Sequence, residues 1–265
     1  MKNISFSILF MCPFILTLSG KTQQLTDEWR LEKKVWTLPG GESAASEYIY
    51  DALGRINKIK HYENKKLQSI QAQFIYDKAE RIVSYKEFYP VGVDTLQYLF
   101  KYDNLNRLVN AKEVKFKNSG EKRTTLTQAF SYNLNEIKET RVRTSFGGKL
   151  TDEITYTLNE TGNMIKKTSI EDGKKTTVYV YGEYDDKLNP LAFTGAYFSA
   201  QLLSRQNSKE GYWQGNKPAK TSFTYSPAGM LHQATVIYSL DNRPYTHTYK
   251  YSYTKIKALS KPAIK

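Results

Sequence analysis

The stretch 48–59, YIYDALGRINKI, returns twice at a fixed interval, as FIYDKAERIVSY at 74–85 and FKYDNLNRLVNA at 100–111, so Tyr50, Tyr76 and Tyr102 stand 26 residues apart. Tyr48 and Tyr50 are two positions apart and share one face of a strand, as do Phe74 with Tyr76 and Phe100 with Tyr102. Asp51, Asp77 and Asp103 follow, each able to accept a backbone N–H two residues on. Three positions later stand Gly54, Glu80 and Asn106, where a hairpin loop asks for a left-handed residue; glycine and asparagine tolerate that conformation and Glu80 is the strained copy. Arg55, Arg81 and Arg107 come next, each followed by an apolar residue that restarts the chain. Stacked copies would align these aspartates and arginines in a ladder along one end of a sheet. Each exposed pair contributes only ~0–1 kcal/mol, so the ladder sets register more than stability.

The series continues in weaker copies: FSYNLNEI from Phe130, YTLNETGNMI from Tyr156 and FTYSPAGML from Phe223, with YVYGEYDD from Tyr179 and YKYSY from Tyr249 as degenerate members. Turn chemistry at the far ends (ENKK at 63, NSGEK at 118, GGK at 147, EDGKK at 171, DNRP at 241) makes each unit two antiparallel strands. Seven units give about 14 strands, a sheet ~67 Å across. A twisted sheet of that width curls, splits or closes, and its aromatic face would otherwise stay wet. The expected fold is all-β: an array of antiparallel hairpins in one strongly curled sheet, half-open barrel or scroll, with Tyr and Phe inside and Lys, Thr and Ser outside.

The series breaks once, between Tyr181 and Tyr225, 44 residues apart, and the insertion is placed at 185–215. Asn189-Pro190 can cap and begin a helical turn, so 190–203 is expected to be a short helix or compact loop over the mouth of the sheet. Its simplest role is a hydrophobic plug. The other is a ligand site at its border, using Tyr212 and Trp213 as aromatic platforms with Asn189, Asp185 and Asp186 beside them.

Residues 1–20 read as a signal peptide, with a positive start, an apolar run of 16 residues and small residues around Thr17 to Gly20. Residues 21–46 are a lead-in with the first strand, and 47–265 the repeat domain. The single cysteine, Cys12, lies in the leader; the remaining chain therefore has no disulfide, thiol nucleophile or cysteine-ligated metal. Lipid anchoring at Cys12 would place Met11 where a small residue belongs, and it is the one route to a loose membrane association. The net charge of +13 is spread over single lysines in strands and turns. That pattern solvates a sheet face and protects edges rather than binding nucleic acid.

His61, His232 and His247 are isolated, and no zinc spacing, nucleophile elbow or phosphate loop occurs; no cofactor or metal is expected. A glycosidase needs two carboxylates brought together by folding, for which Asp185, Asp186 and Glu210 are the candidates, although turns and caps use the same residues.

The cassette [YF]-x-Y-[DN]-x-x-x-R-[IL] resembles the YD repeat of the Rhs and teneurin type. YGEYDDKLNPLAF, with Leu191 where a phenylalanine is expected, and the Tyr-rich end resemble exported β-rich bacterial envelope proteins without an assigned activity. The resemblance implies a hairpin array serving as a shell or adhesive surface. The expectation is an exported, non-enzymatic binding or scaffold protein of the periplasm, outer surface or medium, its partner a polysaccharide or envelope protein. The alternatives are a polysaccharide-acting enzyme and, second, an outer-membrane β-barrel, which is disfavoured by Lys or Glu on both strand faces and by the ending KPAIK.

Overall fold

The computed structural model describes residues 29–37, 40–90, 94–117, 119–145, 147–190, 204, 206–213, 218–240 and 243–255. The described chain is all β, in strands β1 (Trp29–Thr37), β2 (Ser43–Tyr50), β3 (Ile56–Glu63), β4 (Lys66–Tyr76), β5 (Ile82–Phe88), β6 (Thr95–Tyr102), β7 (Leu108–Phe116) and β8 (Lys122–Asn133). There follow β9 (Glu136–Ser145), β10 (Gly148–Leu158), β11 (Met164–Glu171), β12 (Lys175–Leu188), β13 (Gln206–Trp213), β14 (Ala219–Tyr225), β15 (Leu231–Leu240) and β16 (Arg243–Lys255). Each pairs antiparallel with its sequence neighbours, and β1 pairs with β16 to close a 16-stranded barrel.

The expectation of about 14 strands in an open curled sheet or scroll is therefore corrected. The lead-in contributes β1, which zips to β2 on one side and to β16 on the other, Val35 opposite Lys250 and Trp36 opposite Tyr249. An open sheet of this length would leave two rows of unpaired backbone groups; closure removes both. The expected helix or loop at 190–203 lies, from 191 on, outside the described residues, as does the leader at 1–20.

One end of the barrel carries the cassette turns, all built alike. Asp51 Oδ1 accepts the N–H of Leu53 and of Arg55, both at 2.9 Å, and its Oδ2 takes the Arg55 guanidinium at 2.8 Å. The same three bonds recur at Asp77 with Arg81 and at Asp103 with Arg107. Gly54, Glu80, Asn106, Gly162 and Gly229 occupy the left-handed position, with φ between 61° and 80°.

Beyond the turn the pairing slips by one residue, between Ile49 and Tyr50, Ile75 and Tyr76, Lys101 and Tyr102, Thr157 and Leu158, and Thr224 and Tyr225. A bulge of this kind leaves one extra residue unpaired. It explains why residues three apart, Ile56 with Ile59, Ile82 with Tyr85, Leu108 with Ala111 and Leu231 with Ala234, are all buried; a regular strand would send one of each pair outward.

Each anchor tyrosine then reaches across to the preceding unit. Tyr50 donates to the Leu31 carbonyl at 2.7 Å, Tyr76 to Ile56 at 2.7 Å, Tyr102 to Ile82 at 2.9 Å, Tyr132 to Leu108 at 2.7 Å and Tyr253 to Leu231 at 2.8 Å, and Tyr184 donates to Met164. On the ring of each next tyrosine lies an arginine: Arg55 over Tyr76, Arg81 over Tyr102 and Arg107 over Tyr132, at 4.6–4.8 Å. The unit is thus fastened to its neighbour by one hydrogen bond to backbone and one cation–π contact.

The inner wall carries the core. Tyr48, Ile56, Ile59 and Tyr251 pack in one cluster, Ile82, Tyr85 and Tyr98 in a second, and Leu108, Phe130, Ile154, Tyr156 and Met164 in a third. Polar residues on the wall are paired among themselves: buried Glu139 accepts from Gln128, Tyr156 and Arg141 at 2.6–2.7 Å. The outer wall is the reverse. Strand alternation from the inward pairs Phe100–Ala111 and Tyr98–Glu113 sends Leu99 and Lys112 outward, and the same count turns Lys60, Lys86, Lys138, Lys166, Lys220 and Lys250 outward among threonines and serines.

Candidate functional site

Strands β11 to β16 and β1 bend around a cavity of about 250 Å³. Its walls are tyrosine-rich: Tyr179 and Tyr181 lie with ring centroids 4.6 Å apart, and Tyr249 and Tyr251 face them from β16. Burial raises the hydroxyl pKa of all four, so these groups stay neutral and available as donors. Gly211 on β13 supplies the space for one wall ring. A β-carbon there would meet the Tyr179 hydroxyl at 3.0 Å.

Lys34 of β1 enters this cavity from the closing strand, in register with Tyr251 on one side and Ser46 on the other. Its Nζ lies 5.1 Å from the Tyr249 ring centroid and 5.5 Å from that of Trp36. Burial pulls its pKa down to about 8. Among the described residues no carboxylate lies within ion-pair distance of it.

Described residues of the insertion, Asn189, Ser204 and Gln206 among them, line the cavity at the turn end. Tyr184-Asp185 is the true Tyr-Asp of the sixth cassette, displaced from Tyr181 by a left-handed residue at Glu183 (φ 44°). Asp185 Oδ1 accepts the N–H of Lys187, two residues on, and that of Asn207, both at 3.1 Å. These are the bonds that Asp51 makes to Leu53 and Arg55, so the extra chain is spliced into the turn and the turn still closes across it. Tyr225 donates to Asp185 Oδ2, and Asn207 Nδ2 approaches the same carboxylate at 3.2 Å. The neck is held further by Ser204, whose Oγ accepts the Met164 N–H at 3.0 Å, and by Asn189 Nδ2, which donates to the Ser204 carbonyl at 3.2 Å.

The residues expected to bind ligand thus separate. Asn189 lines the cavity. Asp185 sits at the neck with its oxygens engaged by the turn. Asp186 is exposed and bonded to Lys187 at 3.1 Å, a contact that holds its carboxyl below the ordinary range. Tyr212 and Trp213 stand on β13 opposite Val180 and Tyr179, and their side chains lie outside the described set. Asp51, Gly54, Arg55, Asp77, Arg81, Asp103, Asn106 and Arg107 form the rim at the turn end, away from the cavity lining. Asp185, Asp186 and Glu210 do not converge: alternation from the inward Gly211 puts Glu210 on the opposite face, in register with Lys220. Among the described residues no group of acidic and histidine side chains could hold a metal ion. Of the histidines, His61 bonds its strand partner Ser46 at 2.9 Å, and His247 bonds Tyr238, its diagonal neighbour on β15, at 3.0 Å.

Sequence reasoning missed Lys34, Tyr179 and Tyr249 as one wall. The signal was weak: β1 lacks a cassette of its own, and only the pairing of first and last strands brings Lys34 to Tyr249.

No family model matches the chain, and none of the curated proteins does. Among solved structures, a porin-like protein from Bacteroides vulgatus ATCC 8482 is similar at 13% identity and a TM-score of 0.55, over 83% of this chain and 97% of that one. A porin-like protein from Bacteroides uniformis ATCC 8492 aligns over 84% of this chain and 98% of that one, at 12% identity and a TM-score of 0.43. The first likeness shows a shared fold, a closed β-barrel.

Proposed function

We propose that this chain is a non-enzymatic binding protein of the bacterial cell envelope, a water-facing barrel that holds a small ligand in the tyrosine-lined cavity. The observation that carries the reading is the tyrosine-lined cavity left between β11 and β1, in a wall whose apolar clusters and paired polar groups such as Glu139 face inward while lysines, threonines and serines, with a few isoleucines, face outward. The neck of the insertion, Asn189 and Ser204 to Ser208, tied by Asp185, closes one end of that cavity. The separation of Asp185, Asp186 and Glu210 argues against the glycosidase alternative, which needs two carboxylates flanking one bond.

A second reading is an outer-membrane barrel. The likeness to a protein described as porin-like favours it, and so does the even strand count. It requires an outward apolar band about 25 Å tall, with each lysine at the midplane costing ~2–4 kcal/mol. Outward Lys60 and Lys112, in the middle of β3 and β7, weigh against such a band, whereas exposed Ile49, Ile75 and Ile237 on the outer face weigh for it; the lysines tip the reading to the water-facing barrel.

Alkaline carbonate extraction of envelopes from cells expressing the full chain separates the two. Release into the soluble fraction, followed by detergent-free purification and native mass spectrometry showing a non-covalent adduct, is the expected result. Retention in the membrane together with a requirement for detergent would overturn the reading in favour of the second.

A further inference from the structure

We infer that Lys34 is the anchor of an anionic subsite, and that the ligand is a small carboxylate with an apolar or aromatic body. The inference rests on the proposed ligand-binding reading and names the class of molecule the cavity takes.

Three inward cations elsewhere on the wall have carboxylates, whereas Lys167, in register with Tyr156 and Tyr179, shares with Lys34 a pKa lowered by burial. Arg141 bonds Glu139 at 2.7 Å, Arg143 bonds Asp152 at 2.9 Å and Lys115 bonds Asp94 at 2.6 Å. Lys34 has aromatic faces at 5.1 and 5.5 Å and, among the described residues, no counter-ion. An ammonium is expensive to hold away from water unless paired, and two ring faces compensate only in part. The lowered affinity of Lys34 for its proton reports the same imbalance, which a carboxylate at Nζ would reverse. Among the described lining residues the one carboxylate, Glu210, points by alternation to the other face, so a ligand carboxylate meets no like charge from them.

The remaining wall fixes the rest of the ligand. Tyr179, Tyr181, Tyr249 and Tyr251 offer ring faces to a flat or aliphatic body and neutral hydroxyls that can donate to an oxygen. A neutral body bearing one negative charge answers both features. A cation would face Lys34 without a counter-charge.

The test is calorimetric titration of the purified full-length barrel with three probes of one skeleton, 4-phenylbutyrate, 4-phenylbutyramide and 4-phenylbutylamine, at pH 7. The acid is expected to bind at least ten-fold more tightly than the amide, and the amine not at all. In Lys34→Gln the acid should fall to the affinity of the amide, with the amide itself changed less than two-fold; Lys34→Arg should keep the preference for the acid. Equal binding of acid and amide to the parent protein, or a preference that survives Lys34→Gln, overturns the anionic subsite and leaves the ligand-binding reading standing. Failure of all three probes to bind overturns both. A thermal melt of each variant matching the parent separates lost binding from lost fold.

Discussion

Glu80 is where the cassette asks most of a single residue. It holds φ at 61°, in a turn whose equivalents are Gly54, Asn106, Gly162 and Gly229. An L side chain other than Asn or Asp is strained in that region by roughly 1 kcal/mol. Glu80→Gly is therefore expected to stabilise the barrel by about 0.5–1 kcal/mol, raising the melting temperature by about 2 °C for a chain of this size. The same substitution logic run backwards, Gly54→Val, should destabilise. At these turns burial opposes the charge on Asp77 and Asp103, but Arg81, Arg107 and the turn N–H groups outweigh it and hold both carboxyls below the ordinary range. A depressed folded-state pKa gives stability that is complete above the unfolded value, about 3.9, and is lost as pH falls through the folded value. Acid unfolding is thus expected to steepen below about pH 4, and the Asp77→Asn, Asp103→Asn double variant should show a shallower loss between pH 4 and 2 in a circular dichroism titration. The sequence made these turns readable because their chemistry is local: an acceptor, a left-handed residue and an arginine within five positions.

The fastening of one hairpin to the next is an element-scale device, and it was less readable. The tyrosine of each unit was visible as half of an inward face, whereas its acceptor, the carbonyl of the residue after the arginine in the preceding unit, is set by packing between units. Tyr102→Phe would leave the Ile82 carbonyl without that donor at a cost of about 1–2 kcal/mol; the arginine's contact with the ring would persist. Chemical denaturation of Tyr102→Phe and Tyr102→Leu separates the two, with the leucine variant losing a further ~0.5–1 kcal/mol from the lost cation–π contact. The insertion shows where sequence spacing misleads. Counting from Tyr181 gave an irregular interval, but Leu158 and Tyr184 hold the anchor positions, 26 residues apart, with the left-handed Glu183 absorbing the offset. A residue in that conformation has no composition signal when it is neither glycine nor asparagine. Asp185→Ala removes the acceptor that ties Lys187, Asn207 and Tyr225; it should destabilise the barrel and loosen the neck of the insertion, read as increased hydrogen exchange at 206–208 relative to β3 and β4.

At the scale of the molecule, hairpins of this number could curl, split or close, and local signals do not choose among these. The choice depends on β1, a strand from the lead-in that carries no cassette. Seven two-strand units flanked by Trp29–Thr37 and Arg243–Lys255 make 16 described strands, and the pairing of those two end strands closes the barrel. Inside-out polarity was legible from the alternation of Tyr with Lys and Thr, and the cavity was not, since its wall joins β1 to β16 across more than 200 residues of chain. Closure also supplies the ligand reading, because Lys34 meets Tyr249 only in a closed barrel. The direct test is a cysteine pair, Val35→Cys with Lys250→Cys, which are partners across the β1–β16 seam; the mature protein is expected to contain no other cysteine. Antiparallel partners have Cα atoms about 4.5–5.5 Å apart, within disulfide range. A closed barrel should form the intramolecular disulfide on mild oxidation, seen as one fewer reactive thiol pair by mass and faster migration on a non-reducing gel. Two free thiols, or disulfides only between chains, would show that the ends do not meet and would contradict the closed barrel.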